Sequence, residues 1–104
     1  MTLTIGSTYI EDKDYWEIKP VGEVDIANAA KLRAALHDSY EKTPANVRLD
    51  ASDLRYIDST GLGVIIGAYG RMQENGHAIH IESPKVNVRK LLQVTSLDKI
   101  FCPQ

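Results

Sequence analysis

The sequence predicts an α/β fold: a mixed, mostly parallel sheet of four to five strands flanked by helices, in the order ββαβαβα. Three observations carry this. The N-terminal runs 2–11 and 15–22 are rich in Thr, Ile, Val, Tyr and Trp, as strands are. Segments with the 3.6-residue period of an amphipathic helix follow. Short alternating apolar runs separate those helices, and short links between alternating elements favour parallel pairing with right-handed crossovers.

The polar stretch Glu11-Asp12-Lys13-Asp14 makes the first two runs an antiparallel hairpin. Pro20 cannot donate to a ladder, so it belongs near the end or on the open side of its strand. Asp25 reads as the N-cap of the first helix, with Ala29, Leu32, Leu36 and Tyr40 on its apolar face and Pro44 ending it. Residues 46–52 alternate Val47, Leu49 and Ala51 with Asn46, Arg48 and Asp50, the pattern of a strand. A second helix runs from Ser59 to about Gln73, stopped by Asn75-Gly76, and 77–83 is the next strand. Ser83-Pro84 reads as the N-cap and N1 of a third helix, and 97–101 as a closing strand or turn. Repeats, low-complexity segments and linkers are missing, so residues 1–104 read as a single domain.

With 12 Lys and Arg against 14 Asp and Glu, the net charge is −2 and no basic face emerges, which argues against nucleic acid as a partner. One cysteine, Cys102, permits neither an internal disulfide nor a cysteine metal cluster. The N-terminal residues lack the pattern of a signal peptide, and no apolar run approaches the roughly 20 residues that span a bilayer. The expectation is a soluble, cytoplasmic protein.

Function turns on Tyr56–Arg71, YIDSTGLGVIIGAYGR. Gly61, Gly63 and Gly67 give G-x-G-x-x-x-G, one residue too long for a dinucleotide fingerprint, and no Gly-Lys-Ser/Thr follows for a phosphate loop. Ser59 lacks the G-x-S-x-G elbow of a nucleophile, and His37, His77 and His80 show neither a base position nor metal-ligand spacing. An enzyme is the least favoured reading, and no cofactor or metal is called for.

Geometry favours a serine that itself receives a phosphate. With Asp58 as N-cap and Ser59 at N1, set to zero on the helical wheel, Leu62, Ile65, Ile66, Tyr69 and Met72 fall in a core arc of roughly 220–340°. Gly63, Gly67 and Gly70 fall at roughly 40°, 80° and 20°, in line with Ser59. Each mid-helix glycine costs about 1 kcal/mol against alanine. Tight packing on the sheet accounts for some of these glycines, Gly61 and Gly67 being the candidates. A smooth exposed strip that lets a partner backbone approach accounts for the rest. Phosphate on Ser59 would add about −1.5 to −2 charge beside Asp58 and near Asp25 while meeting favourable helix N–H groups, so it would repel a partner and leave the domain folded.

The segments GEVDIANAAKLRAAL, VRLDASDLRYIDS and YIDSTGLGVIIGAYGRMQENG together resemble the STAS domain, and more narrowly the bacterial anti-sigma factor antagonists of the sporulation and general-stress type. The resemblance covers essentially the whole chain. It implies a sheet flanked by α-helices, and a serine phosphorylated by the anti-sigma factor, an ATP-dependent serine kinase. The unphosphorylated antagonist binds that kinase and frees its sigma factor; a PP2C-type phosphatase restores it. Carried over, the acceptor is Ser59, with Thr60 the weaker candidate. Asp58 matches the acidic residue before the acceptor, Asp25 the acidic residue close by, and Gly61 and Gly63 the motif glycines. The partner surface expected from strip and motif together is Asp25, Asp58, Ser59, Thr60, Gly61, Gly63, Gly67 and Gly70. A non-enzymatic scaffold subunit of a larger STAS assembly, and a homodimer, stay open.

Overall fold

The N-terminal hairpin forms from β1 (Leu3–Ile10) and β2 (Tyr15–Val24), antiparallel, with Leu3 opposite Gly22 and Ile10 opposite Tyr15. The chain continues through α1 (Ala29–Lys42), β3 (Asn46–Asp50), β4 (Leu54–Ile57), α2 (Ser59–Gln73), β5 (Ile79–Glu82), α3 (Val86–Val94) and α4 (Asp98–Phe101). This is a computed structural model describing residues 2–103.

The five-stranded sheet is organised around β2, which at 10 residues is long enough to serve two partners along one side. Its first half pairs in parallel with β3, up to Ile18 opposite Leu49, and its second half with β4, from Gly22 opposite Leu54 to Val24 opposite Ile57. Pro20 lies between the two halves. Val21, which pairs with Thr4, turns its backbone to β1, so Pro20 faces the gap where β3 has ended and β4 has not begun. The donor that proline lacks is not needed there. β3 pairs in parallel with β5 on its far side.

Strand β4 is one the sequence pattern does not show. The expected strand over 46–52 ends at Asp50, whose Oδ1 accepts from the Ser52 N–H at 3.0 Å, and Leu54 N–H donates to Ala51 O to close a turn. The chain then returns to β2 as a four-residue strand in which only Leu54 and Ile57 are buried, too short for alternation to register.

Burial alternates strictly along β2: Trp16, Ile18, Pro20, Gly22 and Val24 are buried, and the residues between them are half-buried or exposed. The core lies on that one face. It is filled by Val47, Leu49 and Ile79 from the strands, Leu32 and Leu36 from α1, Ile65 and Met72 from α2, and Leu92 and Phe101 from α3 and α4. Glu17, Arg48 and His80 on the opposite face stay in solvent.

Other element ends differ from expectation. α1 begins at Ala29, after Asn28, and not directly after Asp25. α3 starts after Lys85, because Ser83 takes a left-handed φ of 54° and cannot be the expected cap. Residues 98–101 form a short helix where a strand or turn was expected. The stop at Asn75-Gly76 is as expected: Gly76 has φ 79°, and the N–H groups of Gly76 and His77 donate to Gln73 O and Met72 O.

Candidate functional site

Val24 and Ile57 end two neighbouring parallel strands, and Asp25 and Asp58 are the residues that follow them. Asp25 and Asp58 therefore leave the sheet side by side at its carboxyl edge, where α/β folds place their binding sites. The Asp58 N–H donates to Val24 O at 3.1 Å, which ties the second crossover to the end of the first.

Each aspartate organises its own loop. Asp58 is the N-cap of α2: its Oδ1 accepts from the Gly61 N–H at 2.9 Å, satisfying one of the free donors of the first turn. Its other oxygen, Oδ2, accepts from the Ile26 N–H at 3.1 Å. Asp25 caps a turn one step earlier than α1. Its Oδ1 accepts from the N–H groups of Ala27 and Asn28, and Asn28 Oδ1 accepts from the Asp25 N–H in return. Asn28 Nδ2 also donates to Glu23 O. Asp25 O also accepts from the Ala29 N–H at 2.8 Å, so residues 25–29 form one hydrogen-bonded turn that Asp25 caps, and regular α1 follows from Ala29.

Ser59 stands at N1 of α2, exposed, directly after its cap; Thr60 is half-buried. Along the helix from Ser59, Gly63, Gly67 and Gly70 are all exposed. A Cβ added at Gly63 or Gly70 would meet nothing within 4 Å, and one at Gly67 would meet only the guanidinium end of Arg71 at 3.8 Å. Packing therefore explains none of the three, Gly67 included. Gly61 is the opposite case: it is buried, and a Cβ there would lie 2.6 Å from Ile57 Cγ1 and 2.7 Å from Val24 Cγ1. Its bareness lets the first turn of α2 sit down on the ends of β2 and β4, so Gly61 shapes the site from beneath and is not part of its surface.

Two exposed isoleucines, one beside the head of α2 and one midway along it, were not among the expected site residues. Ile26 is 79% exposed, and its backbone is held by Asp58. Ile66, expected in the core, is 44% exposed, while Val64 and Ala68 take the buried places. On the wheel Ile66 lies at about 340°, the limit of the core arc and only about 20° from Ser59 on the flank of the glycine strip; that angle was the available signal. Ile26 gave none, because the reading of Asp25 as a cap buries it in a first helical turn. The result is an exposed face of α2 that carries the Ser59 hydroxyl at its head and Gly63, Ile66, Gly67 and Gly70 along its length, with the exposed Ile26 tied by its backbone to Asp58 beside that head. His77 and the other histidines are engaged elsewhere or exposed: Tyr40 OH pairs with His77 Nδ1 at 2.6 Å, and His37 and His80 face solvent on α1 and β5.

The family model of the STAS domain matches residues 10–104. Curated relatives include the anti-sigma-B factor antagonist of Listeria monocytogenes, 30% identical over 90 residues, which cover 86% of this chain and 79% of the relative. That of Bacillus subtilis is 31% identical over 85 residues, 82% of this chain and 77% of the relative. Among solved structures, a candidate anti-sigma factor antagonist from Thermotoga maritima superposes with a TM-score of 0.83 at 28% identity, covering 92% of this chain and 81% of that one. The unphosphorylated form of the anti-sigma factor antagonist SpoIIAA gives a TM-score of 0.81 at 18% identity, covering 93% of this chain and 84% of that one, a likeness of fold.

Proposed function

The chain belongs to the STAS domain family, and on that premise we propose that it is a phosphorylation-controlled anti-sigma factor antagonist. Unmodified, it binds an anti-sigma factor that is an ATP-dependent serine kinase, and so releases a sigma factor. Phosphorylated on Ser59, it lets the kinase go, and a PP2C-type phosphatase returns it to the binding form. The role is regulatory and non-enzymatic, and its setting is the cytoplasm.

The observation that carries this reading is the position of Ser59: exposed at N1 of α2, next to a capping carboxylate, at the head of an exposed strip that intrachain packing does not explain. The printed names of the curated relatives point the same way. A kinase that must present ATP to the hydroxyl has to lie close along this strip, and Gly63, Gly67 and Gly70 let its backbone come close. Ile26 and Ile66 supply the apolar contacts that affinity needs, since buried aliphatic area is the main favourable term in association. A phosphate on Ser59 keeps good local company from the helix N-terminus, so the domain stays folded. It nevertheless brings about two negative charges into the middle of the contact, beside Asp58 and Asp25. Each 1.4 kcal/mol of repulsion is about a tenfold loss of affinity, so modest repulsion is enough for a switch.

Incubation with the cognate kinase and ATP, followed by mass-spectrometric site mapping and calorimetric titration, tests the proposal. The phosphate is expected on Ser59; Ser59→Ala should bind as tightly as the unmodified chain and accept no phosphate, and Ser59→Asp should bind at least about tenfold more weakly. Phosphate on another residue, or equal affinity before and after modification, overturns it.

A further inference from the structure

The two edges of the sheet are finished differently. β5, the edge at one end, has four residues, two of which are His80 and Glu82. Its bonds to β3 run through Ala78 O and Glu82 O, so Ile81 turns outward, and there the Cys102 thiol donates to Ile81 O at 3.3 Å while α4 packs alongside. The C-terminal segment thus covers that edge. β1, the edge at the other end, is eight residues of LTIGSTYI, with no charge, no proline and no bulge in its pairing with β2. Proteins usually blunt a free edge with such devices, because a bare row of N–H and C=O groups is a template for another strand.

The direction of the free groups follows from the ladder. Glu23 N–H donates to Thr2 O and Asp14 N–H to Ile10 O, so even-numbered residues of β1 face β2, and Leu3, Ile5, Ser7 and Tyr9 point their backbone groups outward. One outward acceptor is engaged: Lys31 Nζ reaches over from α1 to Leu3 O at 2.6 Å.

We propose that β1 is a homodimerisation edge, pairing antiparallel with β1 of a second copy about a two-fold axis at Gly6. In that register Leu3 lies opposite the partner's Tyr9 and Ile5 opposite the partner's Ser7, giving about eight new backbone bonds and a single sheet through both copies. Three features favour a second copy over any other strand. The outward row is uncharged along its whole length, so it pairs with itself without like-charge contacts. Gly6 would meet nothing within 4 Å if it bore a Cβ, so this chain gives no reason for a glycine in mid-strand; at the axis it faces the partner's Gly6 in the closely spaced, non-hydrogen-bonded position, where strand glycines mark the approach of another backbone. The same register carries the acidic hairpin Glu11, Asp12 and Asp14 past the partner's Leu3, where the partner's Lys31 stands ready to exchange a carbonyl for a carboxylate.

Sedimentation equilibrium of the whole chain, with two sets of variants, tests this. The unsubstituted chain should sediment as a concentration-dependent dimer. Ser7→Pro removes an outward N–H and no bond to β2, so it should give a folded monomer that melts where the unsubstituted chain does when diluted below its dimerisation range. In a Cys102→Ser background, Gly6→Cys should cross-link to a covalent dimer on mild oxidation, while Thr4→Cys should stay largely uncrosslinked. A chain that is monomeric at its highest soluble concentration overturns the proposal. So does equal cross-linking at Thr4 and Gly6, or a dimer that survives Ser7→Pro and is dissolved by Ile66→Glu.

Discussion

Asp58 Oδ2 accepts the Ile26 N–H at 3.1 Å while Oδ1 of the same carboxylate accepts the Gly61 N–H at 2.9 Å. One side chain therefore fixes the start of α2 and the position of an exposed isoleucine on the neighbouring loop, and the two functions separate by substitution. Asp58→Ala loses both and should lower stability by about 1 kcal/mol, a fall in melting temperature of about 4–8 °C. Asp58→Asn keeps an oxygen for Gly61 but presents an NH₂ to Ile26. Its melting temperature should fall less, while amide hydrogen exchange at Ile26 should accelerate as much as in Asp58→Ala. Equal exchange in Asp58→Asn and the unsubstituted chain would contradict the bridge.

The glycines of α2 divide by environment. Gly63→Ala, Gly67→Ala and Gly70→Ala each add a methyl where space is open, so each should stabilise by up to about 1 kcal/mol, and the triple variant by roughly 3. Gly61→Ala should destabilise, because its Cβ would collide with Ile57 and Val24. Urea midpoints read the sign at each position; stabilisation by Gly61→Ala would refute the packing argument. If the strip serves a partner, the triple variant should also bind the kinase more weakly than the unsubstituted chain despite being more stable.

Ile26→Asp and Ile66→Asp should each reduce kinase affinity by tenfold or more, with melting temperatures close to that of the unsubstituted chain, since both side chains are exposed. Titration calorimetry and thermal denaturation of the same samples make the comparison. Unchanged affinity in both variants would remove the isoleucines from the contact.

Asp50 carries a pH dependence. Hydrogen bonds from Ser52, its hydroxyl first and then its N–H, with a smaller contribution from Lys19, hold its carboxyl below the usual 3.8. A group lowered in the folded state contributes stability that is fully present above its unfolded pKa and is lost as pH falls through the folded one. Ser52→Ala should therefore narrow the difference in urea midpoint between pH 6 and pH 3. Identical differences with and without the Ser52 hydroxyl would discount it.

What the sequence made legible depended on how far a signal extends. The period of α1 and the strand-type composition of 15–22 each run over many residues, and both elements are found, with only their ends displaced: α1 begins at Ala29 and β2 runs on to Val24. β4 was hidden because four residues with two buried ends carry no period. Asp25 misled only over where α1 begins, because an aspartate before a helical pattern suits an N-cap and the cap of a preceding turn equally. The site's outline, Asp58-Ser59 with Gly63 and Gly70, was readable from local rules of capping and helical angle. Gly61 packs as its glycine reading had it and so drops out of the partner surface, while Gly67 loses the packing role it was given and Ile66 its place in the core, because packing depth along α2 is a property of the assembled sheet.

Pro20 gives the sheet a fixed address. β2 offers one side to two parallel strands in succession, and because the side-chain period is two, the apolar pattern alone does not oppose a slip of two residues. Sliding β3 forward along β2 would place a carbonyl against the one position of that side that has no hydrogen to give. The proline thus punishes the misaligned sheet and costs the correct one nothing. Because the carboxyl ends of β2 and β4 set where Asp25 and Asp58 emerge, a ring in the middle of the sheet helps decide that the two aspartates come out side by side.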